Sequence, residues 1–106
     1  MSNTEFATLA LSFPGTEEYS HFDRRAFKVT GKRIYATLLE KNQTANLKLT
    51  PVDQSIFCEY DSSLIYPVPN KWGKQGWTTF ELKKIEHELI LDALSAAYGD
   101  VLKKKK

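Results

Sequence analysis

Apolar residues first recur at helical spacing. Phe6, Leu9, Ala10 and Phe13 repeat every three to four positions behind Ser2, Asn3 and Thr4, which carry capping side chains, and Pro14-Gly15 stops the pattern. The residues that follow look extended. Three runs with β-type residues come next, at 25–29, 32–40 and 44–49, separated by Thr30-Gly31 and by Lys41-Asn42-Gln43. They predict an antiparallel meander. Thr50-Pro51-Val52-Asp53 then sets a capping hydroxyl before a proline at the first helical position, with a carboxylate three residues after the cap. The helix it opens carries the apolar stripe Val52, Ile56, Phe57 and Tyr60 and ends at Asp61-Ser62-Ser63.

Residues 64–76 hold Pro67, Pro69, Gly73 and Gly76, which predict a structured loop rather than a helix. A fourth strand is expected over 77–82. From about His87 the positions Ile90, Ala93, Leu94, Ala97 and Val101 keep helical period to the end of the chain. The expected fold class is α+β: one domain over residues 1–106, with an antiparallel sheet of four to five strands and three helices packed on one face. Strand alternation sends Phe27, Val29, Ile34, Ala36, Leu38, Leu47 and Leu49 beneath those helices. Lys28, Arg33, Tyr35, Thr37, Asn46 and Lys48 are then left on the opposite face.

Composition agrees with a self-sufficient core. In 106 residues, 42% are hydrophobic and 26% charged, with six Phe, five Tyr and two Trp. The single cysteine, Cys58, has no partner for an internal bridge, and no charged-then-apolar leader or membrane-length run opens the chain. A cytoplasmic, non-membrane protein, monomeric by default, is expected.

Charge changes the picture through its distribution. The net +2 depends on the four lysines at 103–106, yet over residues 24–50 Arg24, Arg25, Lys28, Lys32, Arg33, Lys41 and Lys48 face only Glu40. Clustered cations on one accessible strand face attract phosphates, which makes Arg24, Arg25, Lys28, Arg33 and Lys48 candidate nucleic-acid contacts, with Lys71 and Lys74 nearby in the chain. The bland alternative is a solvated face that keeps strand edges from pairing. The Trp72–Trp77 segment offers flat rings on which bases or other planar ligands stack, and with Tyr35 and Asn46 it suggests a pocket for a small molecule or peptide. The bland alternative there is that both indoles plug the edge of the core.

Other chemistry is poorly supplied. Glu17, Glu18, His21 and Asp23 are metal-ligand types, but an extended backbone scatters them, so no metal is expected. Cys58 and His87 are not placed together by any element, and no phosphate-cradling glycine loop or Ser-His-Asp motif is present. The chain is expected to be non-enzymatic and to need no cofactor.

Several segments carry a family resemblance. Ala45-Asn46-Leu47-Lys48-Leu49-Thr50-Pro51, the run from Tyr66 through Pro67-Val68-Pro69-Asn70-Lys71-Trp72-Gly73-Lys74-Gln75-Gly76-Trp77 to Thr78, Leu11-Ser12-Phe13-Pro14-Gly15-Thr16-Glu17-Glu18, Phe27-Lys28-Val29-Thr30-Gly31-Lys32 and Ala96-Ala97-Tyr98 resemble the MmcQ/YjbR family over nearly the whole chain. The resemblance implies a CyaY-like α+β domain and DNA binding through a double-wing arrangement of β-hairpins. It does not extend to iron binding through an acidic first helix, where Glu5 is the only carboxylate here.

Overall fold

A computed structural model describes residues 1–103; of the four terminal lysines only Lys103 falls inside the described residues. Helix α1, Asn3–Leu11, begins at Ser2, whose hydroxyl accepts from the Glu5 N–H at 3.0 Å while the Glu5 carboxylate accepts from the Ser2 N–H at 2.8 Å. This capping box satisfies two backbone donors that the helix end would otherwise orphan. Four strands follow: β1 (Thr16–His21), β2 (Arg24–Val29), β3 (Ile34–Leu39) and β4 (Thr44–Lys48). Helix α2, Pro51–Tyr60, starts as expected, with Thr50 accepting from Asp53 N–H at 3.1 Å. Then come β5 (Ile65–Pro67), the one-turn α3 (Lys71–Lys74), β6 (Trp77–Glu81), a 3₁₀ turn (Leu82–Lys84) and α4 (His87–Lys103).

Among the described residues the architecture is α+β, with six antiparallel strands in the order β1-β2-β3-β4-β6-β5 and four helices. That is more elements than the four to five strands and three helices expected. The edge strand β1, Thr-Glu-Glu-Tyr-Ser-His, has no apolar alternation to announce it, and β5 is three residues long. Helix α3 forms inside the segment expected to exclude helix. Its one turn fits between Pro69 and Gly76, and the Asn70 side chain caps it by accepting from Trp72 N–H at 2.9 Å.

α1, α2 and α4 pack on one face of the sheet. Phe6, Ala7 and Ala10 from α1 and Ile90, Ala93, Leu94, Ala97 and Val101 from α4 close over Phe27, Ala36, Leu38, Ala45, Leu47 and Phe80. Two sequence expectations are corrected here. Tyr35 belongs to this core, not to the open face. Phe27 pairs with Ala36 but Lys28 pairs with Ile34, so Tyr35 is an extra residue in β3 and the alternation slips. Its ring is fully buried 5.7 Å from that of Tyr98, and its hydroxyl meets Thr16 Oγ1 at 2.8 Å. By the same slip Ile34 leaves the core and shares the open side with Lys28.

Three of the four residues in the α2 stripe also turn outward. Val52, Ile56 and Tyr60 are exposed, while Phe57 and Cys58 on the opposite side pack on the core. Gln54, on the same side as Phe57 and Cys58 by helical spacing, adds hydrogen bonds to that packing. Its amide nitrogen reaches the carbonyls of Gly73 at 2.9 Å and Trp77 at 3.3 Å and the Thr78 hydroxyl at 3.1 Å.

Gly76 makes the tightest backbone approach. At φ +111°, a Cβ there would lie 1.9 Å from the Leu49 carbonyl oxygen, and Leu49 N–H bonds the Gly76 carbonyl at 3.0 Å. Gly99, inside α4, has open space around it. The two glycines predict opposite outcomes in urea denaturation. Gly76→Ala combines backbone strain with overpacking and should lose about 3 kcal/mol or more. Gly99→Ala should gain about 0.5–1 kcal/mol by removing a helix-interior glycine.

Candidate binding site on the open sheet face

Cross-strand register determines which side chains share the face that α1, α2 and α4 leave uncovered. From β1 it takes Glu17, Tyr19 and His21, from β2 Arg24 and Lys28, and from β3 Thr37. β4 adds Asn46 and Lys48, and β6 adds Trp77, Thr79 and Glu81. Of the expected cations, Arg24, Lys28 and Lys48 therefore lie on one side. Arg24 donates to Thr37 Oγ1 at 3.3 Å, and the Lys28 ammonium sits 4.7 Å from the centroid of the Tyr19 ring. Asn46 is held by its Oδ1, which accepts from Thr79 Oγ1 at 2.8 Å.

Arg25 is corrected. One position out of phase with Arg24, it pairs with Ser20 and Leu38 on the helix side and is claimed by two carboxylates, Glu18 at 2.6 Å and Glu40 at 3.1 Å. Hydrogen bonding from Arg25 holds the Glu18 carboxyl below its ordinary range, and the same contact raises the guanidinium. Arg25 is therefore removed from the cation set of the open face.

The acids on the open face are occupied by hydroxyls. Glu17 accepts from Thr30 and Tyr19, and those bonds lower its pKa. Glu81 accepts from Tyr66, whose pKa is pushed up to about 12, chiefly by that bond. The consecutive Glu17 and Glu18 point to opposite faces. Among the described residues, no group of three or more His, Cys, Asp and Glu is arranged to hold a metal ion. Burial raises the Cys58 thiol, on the inner side of α2, whereas His87 is exposed beside α1.

Two clefts flank the tryptophans. One, of about 250 Å³, lies between the sheet and the end of α4, lined by Arg33, Tyr35, Lys48, Trp72, Trp77 and Asp100. The other, of about 230 Å³, is more open and is lined by His21, Arg24, Thr37, Asn46, Trp72 and Trp77. Both indoles thus contribute to both clefts. Trp72 is 51% exposed and Trp77 half-buried, so neither simply plugs the core. Gly73 lets α3 sit this close: a Cβ there would stand 2.0 Å from the Val68 carbonyl oxygen. Lys71 and Lys74 are exposed on α3 to either side of Trp72.

The sequence matches the YjbR family over residues 11–99. The chain belongs to the YjbR family. A solved structure similar to this YjbR chain is that of the Deinococcus radiodurans protein DR2400, with its DUF419 domain. It is 22% identical, with a TM-score of 0.84 over 97% of this chain and 80% of the other, and it shares the fold. No protein of curated function matches the sequence. Among the described residues of this YjbR chain, no helix is long and apolar enough to cross a membrane.

Sequence reasoning missed three features of these clefts and the hairpin beside them. Asp100 lines the first cleft, and its place three residues after Ala97 on α4 was the available signal. His21 and Arg24 reach the second cleft because they form the last pair of the β1–β2 hairpin. Phe22, at the tip of that hairpin, is 93% exposed with φ +60°, a backbone region that bulky residues rarely adopt. The ion pair yields a pH prediction. Because the Glu18 pKa is depressed in the folded chain, its contribution is present above the unfolded value near 4.5 and is lost as pH falls through the folded value. Arg25→Gln should therefore cost about 0.5–1 kcal/mol at neutral pH, and that difference should shrink toward zero in acid, as read by denaturation at several pH values.

Proposed function

We propose that this domain binds nucleic acid through the open face of its sheet, with little sequence preference and without catalysing a reaction. The observation that carries this reading is the common orientation of Arg24, Lys28 and Lys48 on a water-facing side bordered by the exposed Trp72. Phosphates need cations on one accessible surface, and a flat ring beside them supplies sequence-tolerant contact to bases. Arg33 and the two lysines of α3 extend the positive rim. The β1–β2 hairpin, with Phe22 at its tip, is one wing of the double-wing arrangement this reading draws from the family resemblance.

A second reading, a small-molecule or peptide site, is favoured by one observation: Tyr35, Asn46, Trp72 and Trp77 all line the paired clefts. The two readings respond differently to salt. With three phosphates neutralised, duplex affinity should fall with a log–log salt slope of about −2.7, while binding in an aromatic cleft should depend weakly on salt. Fluorescence anisotropy of a labelled duplex at low ionic strength measures this. The double variant Arg24→Glu with Lys48→Glu should lose at least tenfold in affinity with an unchanged urea midpoint. Absence of any anisotropy change with micromolar wild-type protein, for the duplex and for a labelled single strand alike, would remove the nucleic-acid reading.

A further inference from the structure

The cleft between the sheet and the end of α4 differs from the open face in what it can recognise. It is more enclosed than its neighbour, and its wall carries groups of opposite character. Arg33 and Lys48 are cationic, Asp100 is a half-buried carboxylate, Gln75 adds an amide, and the two indoles supply flat apolar surface. Among the described residues no ion pair joins Arg33 to Asp100, so the guanidinium and the carboxylate are not consumed by each other.

That combination selects a ligand class. A volume of about 250 Å³ falls just below the roughly 300–1,000 Å³ of drug-sized sites, which limits the part of an occupant held inside to about one ring system and a small appendage. An aromatic carboxylate would use the indoles and Arg33 but would offer Asp100 no donor. A nucleobase with an exocyclic amine would donate to Asp100 or Gln75, lie against an indole, and leave its phosphate to Arg33.

We propose that this cleft is a nucleotide-unit site: one amino-bearing base against Trp72 and Trp77, its exocyclic amine to Asp100, and its phosphate at Arg33. The choice of ligand rests on the nucleic-acid reading above and sharpens it. A base inside the cleft is not stacked in a duplex, so the site takes the nucleotide of a single strand or a free mononucleotide.

Tryptophan fluorescence of the full chain, titrated with adenosine monophosphate, adenosine and a short oligodeoxyadenylate, tests the proposal. The monophosphate should shift the emission saturably, and adenosine should bind about tenfold more weakly for want of the charge-assisted phosphate contact. Arg33→Glu should weaken the monophosphate about tenfold and leave adenosine unchanged, a split that a merely structural role would not produce. Trp72→Ala, read from the remaining indole, should weaken both. Both side chains are exposed, and an unchanged urea midpoint checks that the variants fold.

Binding of the monophosphate with these dependences, but of no polymer, would keep the site as one for free nucleotides and remove the nucleic-acid reading. Oligomer binding with the same dependences and none by the monophosphate would assign the site to strands. Duplex binding alone, with neither single strand nor monophosphate sensitive to Trp72 and Arg33, would overturn the nucleotide-unit proposal and leave the broader reading standing.

Discussion

The shape of this molecule depends on two places where backbone presses on backbone with no side chain between. At Gly73 the one-turn helix lies against the Val68 carbonyl, and at Gly76 the chain lies against the Leu49 carbonyl, each closer than any Cβ permits. Both glycines carry packing, and Gly76 carries a positive φ as well. The Gln54 amide of α2 then spans the gap between them, donating to acceptors on Gly73, Trp77 and Thr78. An amide nitrogen has two hydrogens, so three acceptors share them, and the helix, the turn and the strand are held as one unit. The position of both indoles follows. Trp72 sits one residue before the first close approach and Trp77 one residue after the second.

The open face also depends on how charge is sorted. Strand alternation separates Arg24 from Arg25 and Glu17 from Glu18, so adjacent like charges end on opposite sides. Arg25 is taken up by Glu18 and Glu40 on the helix side, while Glu17 and Glu81 on the open side accept hydroxyl protons from Thr30, Tyr19 and Tyr66. Glu17 and Glu81 thus share their open-side hydrogen bonds with hydroxyls, and Glu17 also faces Lys28 across the β1–β2 pair. The positive character of the face survives even though the protein carries 13 acidic residues against 15 basic ones.

Much of this architecture is legible in the chain because its signals are local. The capped start of α2, the period of α4 and the alternation of β2 and β4 each rest on neighbours within a few residues. The bulge is different. Nothing around Tyr35 announces an extra residue, and only pairing with β2 shows that the alternation slips there. The outward turn of Val52, Ile56 and Tyr60 is likewise a tertiary outcome, because the side of α2 that carries Gln54 and Phe57 finds its partners some 20 residues away in sequence. The tryptophan segment was recognisable by composition, but its two clefts required Asp100 and His21, brought in from α4 and the first hairpin.

The wall shared by the two clefts has a consequence for how they behave together. Trp72 and Trp77 are boundaries of both spaces at once, so an occupant that displaces an indole on one side alters the volume on the other. Each cleft therefore owes part of its shape to the same two rings, and a change in either indole alters both at once.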